Sequence, residues 1–154
     1  MNGGCWRTAT LRLFLDTNVL LDAAGAMREG HEAALALLAG GHDALLAISP
    51  GSLKDFYYIA GRAKAGIGGD GGMSDKERRG WMRLFLDATV VVPEDRRMVL
   101  ASLDSDESDY EDATKRVAAE GWHADWIITR DSNRHAFERS SIPATTVVDI
   151  LTRL

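Results

Sequence analysis

The sequence predicts an α/β fold in three layers: a central, mainly parallel sheet of about five strands with helices on both faces. Short apolar runs of strand type alternate with helical patterns, the order that lays strands parallel and returns each crossover over the sheet. The first run, residues 11–15, ends directly in Asp16, which delivers a carboxylate to the carboxyl edge of the sheet, where open α/β folds keep their ligands. A chain of 154 residues, 45% of them hydrophobic, suits a single domain, which at this size buries about 68 to 70% of its unfolded surface. That domain spans 1–154, with residues 1–9 as a flexible N-terminal tail.

Strands are expected at 11–15, 44–48, 88–92, 125–129 and 144–148, and helices fill the gaps. After Asp16-Thr17-Asn18 the pattern Val-Leu-Leu-Asp-Ala-Ala is helical. A helix from His31 to Ala39 carries Leu35, Leu37 and Leu38 and stops at Gly40-Gly41. Ser49 can cap the next helix with Pro50 in its first turn and Leu53, Phe56, Tyr57 and Ala60 as the apolar stripe, ending at Gly66. Residues 66–72 hold too many glycines for regular structure and are expected as a flexible surface loop. No strand precedes them and no Lys-Ser/Thr follows, so they are not a phosphate loop. Ser74-Asp75-Lys76-Glu77 is a capping box opening a helix with Trp81, Leu84 and Phe85 at core spacing. Trp81, Trp122 and Trp126 are expected to pack in the core, and adjacent Tyr57 and Tyr58 point about 100° apart, so one of them faces substrate.

Several function classes are excluded. Cys5 is the single cysteine and cannot form an internal disulfide, Asp16, Asn18 and Asp22 interrupt the only candidate leader segment, and no stretch has the length of a membrane span. The expected compartment is the cytoplasm. The net charge of −5 argues against a nonspecific polyanion binder, yet the charge is segregated. Asp104, Asp106, Glu107, Asp109, Glu111 and Asp112 crowd together, while arginines gather elsewhere, including Arg78, Arg79 and Arg83 and then Arg130, Arg134 and Arg139. Either group also reads as a solvated face.

Asp16, Asp55, Asp112 and Asp131 each stand near a strand end or helix start, and that layout reads as one metal site. Carboxylates forced together raise one another's pKa, so such a cluster persists where a cation neutralises it. Oxygen-only ligands select hard ions, hence Mg²⁺ or Mn²⁺. Zinc is disfavoured, because His31, His42, His123 and His135 form no close ligand pair. Each acid also has a plain reading. Asp16 and Asp131 can cap helical segments, Asp55 can be a surface acid beside Lys54, and a helical wheel with Tyr110, Ala113 and Val117 inward turns Asp112 to solvent.

Taken in order, residues 13–22 (Leu-Phe-Leu-Asp16-Thr17-Asn18-Val-Leu-Leu-Asp), Ser52-Leu-Lys-Asp55-Phe-Tyr-Tyr-Ile, Asp109-Tyr-Glu-Asp112-Ala and Ile-Ile-Thr129-Arg130-Asp131 resemble a PIN domain over residues 10–150. The closing Ser-Ser-Ile-Pro-Ala-Thr-Thr-Val-Val-Asp resembles the last strand and short helix of such domains. The resemblance implies a PIN-like α/β/α fold and a metal-dependent nuclease. Such a protein is often the RNA-cleaving toxin of a VapC-type toxin-antitoxin pair.

Carried onto this chain, the resemblance makes Asp16, Asp55, Asp112 and Asp131 the catalytic acids and metal ligands. Thr17, Asn18 and Thr129 are supporting residues, and Arg130 and Arg134 are candidates for substrate phosphate. Many relatives carry Asn at the position of Asp131, and Glu is usual where this chain has the shorter Asp55. The implied chemistry is hydrolysis of RNA phosphodiester bonds with one or two Mg²⁺ or Mn²⁺ ions activating water. The implied partners are RNA, an antitoxin protein and a second copy of the chain. His135, near the site in sequence, is of the residue type whose unperturbed pKa lies near neutrality, but it has no partner in the sequence. The alternative from another class is an inactive PIN-like module that binds RNA or a protein. A phosphoacceptor receiver domain is a poorer fit, because no lysine follows Lys115.

Overall fold

A computed structural model describes residues 10–62, 67–68, 71–130 and 136–154. The expected N-terminal tail, Gly66, Asp131, Arg134 and His135 therefore lie outside the described residues. The element order is β1 (Leu11–Leu15), α1 (Thr17–Ala24), α2 (His31–Ala39), β2 (Ala44–Ile48), α3 (Pro50–Ala60) and α4 (Asp75–Ala88). There follow β3 (Val90–Val91), α5 (Arg96–Leu103), α6 (Tyr110–Gly121), β4 (Trp126–Ile128), β5 (Ala144–Thr145) and α7 (Val147–Leu151). The five strands form one sheet in the order β3-β2-β1-β4-β5, and every neighbouring pair is parallel.

Strand alternation divides the core into two layers. Leu13 and Leu15 of β1, Leu46 and Ile48 of β2 and Ile128 of β4 face the larger side, where they meet Val19 and Leu20 of α1, Leu37 of α2, Phe56 of α3, Phe85 of α4 and Ile150 of α7. Phe14, Ala47 and Ile127 face the other side, against Ala118 and Ala119 of α6 and Met98 of α5. The small side chains of Ala118 and Ala119 share one buried cluster with Phe14. Both faces are thus covered, as the alternating sequence pattern requires.

The ends of the elements have local causes, and several differ from the sequence expectation. Ser49 caps α3 through Ser52 N–H, with Pro50 in the first turn, as expected. The helix stops at Gly61, not Gly66, because Arg78 of α4 folds over that end and donates to Tyr57 O at 2.9 Å, where a side chain at position 61 would collide with the guanidinium. The glycine segment is not simply a surface loop. Ile67 is buried, Met73 N–H donates to Ala60 O, and Gly72, at φ 79°, lies so near the Gly61 backbone that a Cβ would stand 2.7 Å from it.

The Ser74–Glu77 capping box opens α4, and Phe85 is buried against Phe56, whereas Leu84 is exposed. The third strand is two residues long because α4 runs through Ala88. The fifth ends at Thr145 because Thr146 accepts Asp149 N–H and caps α7 over what had read as strand. Trp81 and Trp126 pack on the larger core and Trp122 on the smaller, in line with their expected role, and none is fully buried.

Candidate active site

Strand order makes the site. From β1 the sheet runs through β2 to β3 in one direction and through β4 to β5 in the other, so β1 and β4 flank the switch point, outside whose carboxyl ends α/β folds bind ligands. Leu15 pairs with Ile128, and the next residues on each strand are Asp16 and Thr129. Asp16 N–H donates to Ile128 O at 2.9 Å, so the main chain carries the pairing one residue beyond the strand.

Asp16 is both the helix cap and the centre of the acidic cluster, so the two readings of its sequence position are compatible. It is 4% exposed. Its Oδ1 accepts Thr17 N–H at 2.7 Å and its Oδ2 accepts the Thr129 hydroxyl at 2.9 Å. Thr17 thus orients the carboxylate through its main chain and Thr129 through its side chain. Asn18 sits in the first turn of α1, half-buried.

The third ligand of Asp16 is a cation the sequence reading did not place there. Lys115 Nζ lies 3.1 Å from Asp16 Oδ1 and also binds Glu111 Oε1 one helical turn back. Lys115 is 3% exposed. Burial works against its charge, but Asp16 and Glu111 outweigh that cost and hold its pKa above the ordinary lysine value. The sequence did hold a signal for Lys115 and Glu111. Glu111 and Lys115 are spaced i,i+4, and Lys115 stands among the small residues Ala113, Ala118 and Ala119 on the side of α6 that is buried.

Asp112 and Asp55 complete the described cluster. The wheel that turned Asp112 outward is rotated: Tyr110 is exposed, while Ala113, Lys115, Ala118 and Ala119 are the buried residues of α6. Asp112 is half-buried at the edge of that face, its N–H held by the Asp109 cap. Burial raises its pKa to about 6, opposed by Lys115 and reinforced by Asp16. Asp55, in the middle of α3, is also raised to about 6, first by burial and then by the charge of Glu111, with Lys115 and Lys54 opposing. It is half-buried, not a surface acid.

Other sequence candidates sit elsewhere. Arg130 places Nη1 3.7 Å from Asp22 Oδ1, at a cleft of about 250 Å³ with Gly30, Ala33, Thr146 and Val147. Tyr57 donates to Asp75 and lies under the Arg78 guanidinium, while Tyr58 is exposed. The acidic run is partly neutralised: Arg116 bonds Asp106, Glu107 and Glu120, and Arg139 approaches Asp106.

The donor set is all oxygen, and two of its acids are pushed towards protonation, the condition a hard divalent cation relieves. Its chemistry fits Mg²⁺ or Mn²⁺. Among the described residues no three acidic or histidine side chains are grouped closely enough to hold an ion, and the fourth expected ligand, Asp131, lies outside them. Also among the described residues, no helix is long and apolar enough to cross a membrane.

A family model described as PIN domain matches residues 12–133. The fold is similar to that of VapC20 from Mycobacterium tuberculosis, a toxin that cleaves the sarcin-ricin loop, with TM-score 0.59 and 15% identity over 75% of this chain and 86% of that one. It is similar to VapBC2 from Rickettsia felis bound to a promoter DNA fragment, with TM-score 0.61 and 16% identity over 88% and 98% of the two chains. It is also similar to FitAB bound to a DNA fragment, with TM-score 0.58 and 14% identity over 88% and 94%. At the level of sequence, no curated protein matches the chain.

Proposed function

The chain belongs to the PIN domain family, and from that premise we propose that it is a metal-dependent endoribonuclease, the toxin of a toxin-antitoxin pair. The observation that carries the reading is Asp16, fixed at the switch point by Thr17 N–H and the Thr129 hydroxyl, with Asp112 and Asp55 raised to about 6 around it. Asp16, Asp55, Asp112 and Asp131 would hold Mg²⁺ or Mn²⁺. The ion supplies Lewis acidity and lowers the pKa of water at the site. Thr129 and Thr17 keep the Asp16 oxygens from turning, so no reorganisation is needed when charge develops on the phosphate. Arg130, with 42% of its side chain exposed, and Arg134 are the candidates for a substrate phosphate.

The resemblance to VapBC and FitAB complexes supports an antitoxin partner, and self-association of the chain is part of the same reading. Purified protein should cleave an RNA pool when Mg²⁺ or Mn²⁺ is supplied and lose the activity in excess EDTA; equal cleavage in EDTA defeats the metal mechanism. Lys115 against Asp16 favours a second reading, a weakly catalytic module that binds RNA or a protein partner. RNA retention without cleavage in either metal selects that one.

A further inference from the structure

Lys115 lies among the acids of the candidate centre, against both Asp16 and Glu111, without being one of its expected metal ligands. A carboxylate offers about four lone-pair sites. Among the described residues three on Asp16 are engaged: Thr17 N–H and Lys115 Nζ on Oδ1, and the Thr129 hydroxyl on Oδ2. One of those donors is the main-chain N–H of the first residue of α1, and another is the hydroxyl of the residue that follows β4. Lys115 is different. It reaches Asp16 from α6, on the same face as Asp112, and carries a full positive charge into a cluster whose other members are Asp16, Asp55, Glu111 and Asp112.

We propose that Lys115 is a resident cation of this centre, standing in for one of two divalent ions, so that the site takes a single divalent ion. This rests on the reading of the centre as metal-dependent. With the described donors in place, Asp16 then offers an ion one lone pair, on Oδ2, and binds it through a single oxygen. Oδ1 is kept by the ammonium and is not shared between two metals. The ammonium also neutralises charge that a second ion would otherwise offset, without having to be acquired from solution. Lys115 acts here as a positioning residue, through Asp16 and Glu111.

The test is to count and weigh Mn²⁺ binding by titration calorimetry and by electron paramagnetic resonance of free Mn²⁺, with no RNA present. The wild-type chain should take one Mn²⁺. Lys115→Gln and Lys115→Met should take a second ion, or bind the first at least about tenfold more tightly, about 1.4 kcal/mol, and Lys115→Arg should keep the wild-type count. Thermal melts with and without Mn²⁺ show that each variant is folded, and the wild-type count needs no variant. Two Mn²⁺ in the wild type overturn the inference. So does one ion of unchanged affinity in folded Lys115→Gln and Lys115→Met, and both results leave the metal-dependent reading standing. No Mn²⁺ uptake by the wild type or any variant defeats that reading and the inference together.

Discussion

The Thr129 hydroxyl donates to Asp16 Oδ2 at 2.9 Å, joining the residues that directly follow the paired strands β1 and β4. Both are buried, so the bond is shielded from water and the carboxylate is held in one rotamer. Thr129→Val keeps the shape and removes the donor. It should destabilise the chain by about 1 to 3 kcal/mol, the cost of an unsatisfied buried acceptor, and slow RNA cleavage by about tenfold or more. Denaturant melts and single-turnover cleavage check the two effects. Unchanged values in both would mean that Asp16 is oriented without Thr129.

Asp55 lies on α3, one turn before Ile59, and senses Glu111 and Lys115 on α6. Asp55→Ala should therefore cost about tenfold or more in cleavage rate, about 1.4 kcal/mol, while Asp55→Glu keeps measurable activity because the carboxylate is retained. Lys54→Ala, exposed on the same helix, should leave the metal requirement as it is. Wild-type rates in Asp55→Ala at both saturating and limiting Mn²⁺ would remove Asp55 from the centre.

The raised acids set a pH dependence. Asp55 and Asp112 have folded-state pKa values of about 6 against an ordinary value of 3.8. Between those values the native state binds more protons than the unfolded state. Their contribution to stability is therefore full below 3.8 and is lost as pH rises through about 6. In EDTA the melting temperature should fall from about pH 5 to about pH 7.5, and Asp112→Asn should flatten that fall. Mn²⁺ should restore stability most at the higher pH. An Asp112→Asn profile parallel to wild type would show that this acid is not shifted.

Arg116 anchors the acidic run before α6. Its guanidinium meets Asp106 at 2.8 Å, Glu120 at 3.1 Å and Glu107 at 3.3 Å, and the Glu107 side chain is buried. Arg116→Met keeps the aliphatic stem and leaves Glu107 without this partner, so it should cost about 1.5 to 3 kcal/mol, the range for hydrogen bonds to charged groups. A chemical melt within error of wild type would assign the network to the surface, where ion pairs count for little.

Local signals were legible without the fold. The strand-then-carboxylate run at 11–16, the Ser49-Pro50 start of α3 and the Ser74–Glu77 box depend on neighbours within a few residues, and each appears where its chemistry predicts. The parallel sheet and its two helical faces follow from alternation of those same signals. Where competition came from distant residues, the sequence misled. Arg78 ends α3 at Gly61, Ile67 is drawn from the glycine segment into the core, and the Thr146 cap takes 147–148 from the last strand.

Asp16 and Asp112 could be picked out from the sequence as candidates because each sits at a local boundary, the end of β1 and the start of α6, whereas Asp55, in the middle of α3, has no such local mark. What joins the acids could not be read from the sequence. Thr129 and Asp16 are 113 residues apart, and Lys115 is 99 beyond Asp16 (115 − 16), so only the β1–β4 pairing and the seating of α6 on the sheet bring the hydroxyl and the ammonium to one carboxylate. Sequence periodicity determines which face of a segment is apolar, but α6 has alanines on its buried side and a lysine among them. The direction that lysine points is decided by the negative charge at the end of β1, because a buried ammonium is stable only where such a partner waits.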